Sequence, residues 1–261
     1  MSKISYKTIK NNTRLSEHKP QHKVHFDEAS HTYTFKGKVL TSVTQFLSRY
    51  KQKFDEEKWS KYVSRRDKIP VALVKEQWDT KRDNACDLGT NVHMYAEYVI
   101  NTLMDKPFDK PKAINNKAVR MMKQLDKLFY QQAEVKPLQS ELLVFNEQYR
   151  IAGTIDFIYK DTKGNIYLAD WKTNDKIKQE NKYQKMKAPF SELDDCNYNH
   201  YALQLNLYKI LYEQQTGNKV RGLFVIHIKQ DAYDVYPIRL HQDIIQQLKN
   251  EVEQFGRADK D

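Results

Sequence analysis

Gly153-Thr-Ile-Asp156-Phe-Ile-Tyr159, the connector Asp161-Thr-Lys-Gly164, and Asn165-Ile-Tyr-Leu-Ala-Asp170-Trp-Lys172-Thr173 form the stretch that decides the fold. Two runs rich in β-branched and aromatic residues flank an Asp/Gly-bearing turn, the pattern of an antiparallel hairpin. Pairing in a hairpin is symmetric about its turn, so opposed residues sum to a constant. With the centre near Lys163, Asp156 and Asp170 sum to twice 163 and are expected to face each other on neighbouring strands. Strand side chains alternate, which sends Lys172 to the face of Asp170 and sends Ile155, Phe157, Tyr167, Ala169 and Trp171 to the other.

Upstream, Glu141-Leu-Leu-Val-Phe145 adds a strand, giving a three-stranded meander. Downstream comes a lysine-rich loop from Thr173 to about 194, a helix over about 197–215, strands at 222–228 and 233–238, and a closing helix over about 241–255. Helical patterning fills about 56–130, broken near Pro70 and over 105–111, with Ala118, Met121, Met122, Leu125, Leu128 and Phe129 as one apolar stripe. Val24-His-Phe26 and Thr32-Tyr-Thr-Phe35 read as a small hairpin, and Thr41-Ser-Val-Thr44 as the cap of a helix. The expected class is α/β: helix, antiparallel meander, helix, strand, with a helical N-terminal part over about 41–133 and a core over about 84–240. Residues 1–22 read as a flexible basic arm, and 23–261 as one domain.

A chain of 261 residues with 39% hydrophobic and 12% aromatic content has too much core material for a disordered protein. Lys plus Arg exceed Asp plus Glu by 44 − 34 = +10, a bias toward polyanionic partners. Two cysteines, 110 residues apart, exclude a four-cysteine zinc or iron–sulfur site and point to a reducing compartment. No stretch has the apolar length of a membrane span, and residues 1–21 lack the apolar segment of a secretory signal. The expected location is therefore the cytoplasm.

Two opposed carboxylates repel unless positive charge lies between them. Paired with a lysine they can hold a divalent cation for phosphoryl chemistry, or merely compensate one another as a surface ion-pair ladder. His93 and Glu97 share one side of a helix, either as ligands or as a packed and a solvated side chain. Glu141 opens a strand, where it could reach a metal or simply stay solvated. Gln204 and Tyr208 share a helix face, on which Tyr201, Leu205, Tyr208 and Tyr212 also make an aromatic stripe. Lys176, Lys178, Lys182, Lys185 and Lys187, with Tyr183 among them, could neutralise phosphates and stack on a base, or be a solvated loop.

Gly153-Thr-Ile-Asp156, Asp170-Trp-Lys172-Thr and Gln204-x-x-x-Tyr208, in this order, resemble the PD-(D/E)XK nuclease superfamily, in its RecB-like and mitochondrial genome maintenance exonuclease-like branch with phage members. Gly89-Thr-Asn-Val-His93 resembles that branch's glycine-to-histidine motif, and the resemblance spans roughly 24–228. Asp170 stands where many members have Glu, and Ile155 where the nominal pattern has Pro. The resemblance implies a restriction-endonuclease-like core and a metal-dependent deoxyribonuclease, an exonuclease on DNA ends or single strands in phage replication or recombination. It implies Asp156, Asp170, Lys172 and Gln204 as catalytic residues, and Mg²⁺ or Mn²⁺ held by His93, Asp156, Asp170 and the carbonyl of Trp171. Glu97, Glu141, Thr154, Thr173, Tyr208, Lys178, Lys182 and Lys185 would lie toward the substrate. DNA is the expected partner, with a recombination or replication protein beside it. An endonuclease and a non-catalytic nucleic-acid-binding module on the same fold are the rival readings.

Overall fold

Strand β6 (Ile151–Lys160) organises the protein, because three strands pair with it. The structure is a computed structural model that describes residues 14–15, 24–27, 30–131 and 135–258. One edge of β6 is lined by β5 (Lys136–Asn146), antiparallel from Lys136↔Lys160 to Asn146↔Ile151. The other edge is divided. β4 (Lys38–Ser42) pairs parallel at Thr41↔Ile151 and Ser42↔Ala152, whereas β7 (Ile166–Lys172) pairs antiparallel from Phe157↔Ala169 to Lys160↔Ile166. Residues 153–156 thus have no ladder partner on that edge, and the sheet opens there.

The β6–β7 register is the one expected from the sequence: Phe157 and Ala169 sum to 326, as do Asp156 and Asp170. The ladder stops one position short of the acidic pair. Beyond β7, strand β8 (Val220–Ile228) adds in parallel and β9 (Tyr233–Pro237) antiparallel. At the opposite end β4 continues into β3 (Thr32–Phe35) and β2 (Val24–Asp27). Lys36 and Gly37, both at positive φ, make the two-residue β3–β4 turn. The sequence reading had no strand at Lys38–Ser42, where cap chemistry was the more visible signal. The cap is found at Ser42, which ends β4 and also caps α1 (Val43–Ser48) by accepting from the amide of Gln45. Of the arm expected over 1–22, only Arg14–Leu15 (β1) lies within the described residues, where it pairs with β2.

Helices cover both faces of the sheet. On one side α1, α5 (Asn197–Thr216) and α6 (Gln242–Ala258) pack Phe46, Leu205, Leu207, Leu211 and Leu248 on Leu142, Ile155, Ile158, Leu168 and Val225. On the other, α3 (Val71–Leu103) and α4 (Asn116–Gln131) pack Val92, Ala96, Ile100, Met121 and Leu125 on Phe157, Ala169, Trp171 and Ile226. α2 (Glu56–Asp67) precedes α3, with Asp55 as its N-cap and Lys68 closing it at positive φ. The apolar face read from sequence is right for Phe157, Ala169 and Trp171 but not for Ile155, which packs toward α1 and α5. Ile155 and Ile158 share that side although three residues apart, so strict alternation is broken across Asp156. The adjacent strand carries its own irregularity, with Glu141 at φ 50°.

Candidate active site

The opening in the sheet gathers side chains from five elements, β5, β6, β7, α3 and α5. Asp156 stands at the parting of β6 and β7, and its Oδ2 accepts the backbone N–H of Trp171 at 2.9 Å. The carboxylate thereby takes the place of a ladder carbonyl. From α3, His93 reaches in: Nδ1 lies 3.5 Å from Asp156 Oδ2, and Nε2 lies 3.0 Å from the carbonyl oxygen of Trp171. α3 can come this close because Gly89, one turn earlier, has no side chain; a Cβ there would stand 3.3 Å from Thr173 Oγ1. From β5, Glu141 completes a group whose ligand atoms, one each from His93, Glu141 and Asp156, lie within 4.8 Å of one another.

That donor set fits a hard divalent cation. A neutral imidazole donating from Nε2 to Trp171 turns its Nδ1 lone pair toward the Asp156 carboxylate, an arrangement that repels unless a proton or a cation lies between. Two carboxylates and one imidazole suit Mg²⁺ or Mn²⁺. The composition of the group differs from the sequence expectation. Glu141, for which the sequence left metal contact, the substrate side and a solvated strand end open, joins it; Asp170 stands outside it, and the Trp171 carbonyl faces His93. Glu97, one turn beyond His93, also lies outside the group.

Asp170 is buried, only 2% exposed, and is held from the α5 side. Lys172 Nζ lies 2.5 Å from its Oδ2, and Gln204 Nε2 donates to its Oδ1 at 3.4 Å. Burial raises the Asp170 pKa; Lys172 opposes that, Asp156 adds to it, and the result is about 6. Burial works against the Lys172 ammonium, yet the Asp170 and Asp156 carboxylates outweigh it and hold its pKa above the usual lysine value. The ammonium also sits 4.7 Å above the Tyr201 ring, which keeps it from swinging toward solvent. Lys172 is therefore a protonated donor at neutral pH.

Gln204 also donates to the Tyr208 hydroxyl at 3.1 Å, and the Tyr208 ring fills the space over Gly153. A Cβ at residue 153 would stand 2.6 Å from that ring, which is why the strand carries glycine there. Tyr208 is thus core and site at once. On the opening's rim, Tyr33 and Thr154 share a hydrogen bond at 3.0 Å between hydroxyls. The sequence reading missed Tyr33: the alternation in β3 marks it as inward-facing, but nothing local announces a partner 121 residues away.

The family model of the PD-(D/E)XK nuclease superfamily matches residues 62–260. The chain belongs to that superfamily. Among solved structures, a protein named "Putative exonuclease" from Eubacterium rectale is 17% identical, with a TM-score of 0.38 over 65% of this chain and 64% of its own. Another, SSO0001, is 15% identical, with a TM-score of 0.27 over 52% and 57%. The matches span less than two thirds of those chains, and likenesses of this strength add nothing to the assignment. No curated protein matches the chain.

In this member of the superfamily the loop after β7 is tied down rather than loosely solvated. Met186 and Phe190 are buried, Met186 N–H donates to the Leu193 carbonyl, and Asn181 N–H to Asp194 Oδ2. Lys185, expected on the DNA side, pairs with Asp194 at 2.6 Å. Lys178 and Lys182 are exposed, and Tyr183 is 95% exposed. Among the described residues no helix is long and apolar enough to cross a membrane.

Proposed function

We propose that the protein is a divalent-metal-dependent deoxyribonuclease that hydrolyses phosphodiester bonds at the opening between β6 and β7. One observation carries this reading: the ligand atoms of His93, Glu141 and Asp156 converge within 4.8 Å beside the buried Asp170–Lys172 ion pair. Mg²⁺ or Mn²⁺ in that group would supply Lewis-acid activation of water and offset charge developing at the phosphorus.

The protein's own residues divide the remaining work. Lys172, fixed by Asp170 and by the Tyr201 ring, donates hydrogen bonds to the attacking water and to the phosphate oxygens, and acts as a cation rather than a base. Gln204 orients Asp170, and Tyr208 orients Gln204. Asp156 fixes the end of β7 through the Trp171 amide, so that the two carboxylates keep their spacing. Asp170 lies close enough to His93 and Asp156 for their charges to bear on it, and would serve as a further ligand to a cation bound beside it. Thr154, Thr173 and the exposed lysines of the loop flank the path of the DNA.

The finer reading is an exonuclease acting on DNA ends or single strands, in phage replication or recombination. Its support is the order of the Gly89–His93, Asp156, Asp170–Lys172 and Gln204–Tyr208 motifs, which resembles that branch of the superfamily. Linear and circular single-stranded DNA of one sequence test it. An exonuclease degrades the linear form in Mn²⁺ and spares the circle; cutting of the circle makes the protein an endonuclease, and binding without cutting makes it a binding module.

A further inference from the structure

The segment after α1 brings a second lysine, Lys51, near enough to Lys172 for the two charges to interact. Tyr50, buried against Phe190, accepts at its carbonyl from the Lys187 amide at 2.8 Å. Gln52 donates its amide to Asp195 Oδ2 at 2.7 Å and its side chain to the Lys185 carbonyl at 2.9 Å. Both neighbours of Lys51 are thus pinned to the loop that follows β7, which fixes where Lys51 begins. Asp195 in turn pairs through Oδ1 with His200 Nε2. His200 is one helical turn ahead of Gln204, on the α5 face that bears on Asp170, and Tyr201 beside it lies under Lys172.

Lys51 stands beside the charges of the site without a direct ion pair of its own. Asp195 is shared between the Gln52 amide and His200, and among the described residues no carboxylate comes within 4.0 Å of the Lys51 ammonium. Burial lowers the Lys51 pKa; Asp195 opposes that and the nearby Lys172 charge adds to it. Asp170 neutralises Lys172 alone. The two ammonium groups lie near enough for their charges to bear on each other, and Lys51, unlike Lys172, has no carboxylate in direct contact with it.

We propose that Lys51 is a phosphate-binding residue beside this site, positioned by the Asp195–His200 pair, which takes the phosphodiester next to the one held at Lys172. The proposal rests on the nuclease reading for its ligand, single-stranded DNA. Its role differs from that of the lysines of the exposed loop, because Lys51 is half-buried and its backbone is fixed on both sides.

The test measures binding of a labelled single-stranded oligonucleotide in Ca²⁺ across a salt series, for wild type, Lys51→Gln and Lys51→Arg, with thermal melting of each. Lys51→Gln is expected to flatten the slope of log affinity against log salt by about 0.7, the loss of one single-strand phosphate contact, and Lys51→Arg to restore it. In Mn²⁺, cleavage by Lys51→Gln should suffer mainly in KM. An unchanged slope in a folded Lys51→Gln protein overturns the proposal, and so does an equal loss in Lys51→Arg. Wild-type cleavage read in the same series separates the two levels. Cleavage with an unchanged Lys51→Gln slope removes Lys51 and leaves the nuclease; a flattened slope without cleavage keeps Lys51 and removes the nuclease.

Discussion

The backbone amide of Trp171 donates to the Asp156 carboxylate where β6 and β7 stop pairing as strands. A side chain replaces a main-chain acceptor there, so the next strand residues are freed from the ladder without leaving an amide unsatisfied. The same carboxylate faces His93, so the proposed metal ligation and the strand geometry depend on one group. Asp156→Ala is expected to abolish cleavage and also to lower stability by about 1–3 kcal/mol through the orphaned amide; Asp156→Asn should keep an acceptor and lose only the activity. Melting curves and label release from DNA separate the two effects.

Glu141 gives the sharpest test of the ligand set. Because its carboxylate converges with His93 and Asp156, Glu141→Gln and His93→Ala should each weaken metal affinity, on the order of 10-fold or more, at little cost in DNA affinity. Mn²⁺ binding followed by its electron paramagnetic resonance signal reports this without turnover. Wild-type Mn²⁺ affinity in Glu141→Gln would return Glu141 to the solvated strand end.

Asp170 makes stability depend on pH. Its folded-state pKa of about 6 lies above the unfolded value of 3.8, so the folded protein binds the extra proton. Its contribution to stability is fully present below pH 3.8 and is lost as pH rises through about 6. In EDTA, the stability of wild type relative to Asp170→Asn should fall across that window and level off above it. A flat difference would mean that Lys172 compensates Asp170 in full.

Gly153 carries a steric prediction. A methyl group there meets the Tyr208 ring at 2.6 Å and Val43 at 3.2 Å, and Tyr208 holds Gln204. Gly153→Ala should cost about 1–3 kcal/mol of stability and lower kcat more than DNA affinity, because the displaced ring takes Gln204 from Asp170. Unchanged melting would place Tyr208 elsewhere in solution.

For the loop, replacing Lys178 and Lys182 with Gln should flatten the salt dependence of DNA binding by about 1.4 to 1.8. Adding Lys185→Gln should lower melting temperature instead of steepening that effect, since Lys185 holds Asp194.

Much of this site was legible because hairpin arithmetic and motif order are local. The register placing Asp156 opposite Asp170 needs only the turn centre, and the α3, α5 and β5–β8 elements follow from periodicity. What escaped is non-local. β4 pairs in parallel with β6 across more than a hundred residues, and no short-range signal encodes that. The break in alternation that turns Ile155 inward follows from this divided edge and from the irregularity at Glu141. The Tyr33–Thr154 pair and the pairing of Lys185 with Asp194 are likewise products of packing. Glu141 was visible as a strand-opening carboxylate, but only the fold brings it to His93.

The most direct test of the central claim is nucleotide release from end-labelled linear single-stranded DNA by wild type and Asp156→Asn, each in Mn²⁺ and in EDTA. The predicted result is release by wild type in Mn²⁺ alone, with Asp156→Asn slower by a factor on the order of 10² or more. Release by wild type in EDTA, or by Asp156→Asn at the wild-type rate, would contradict the account.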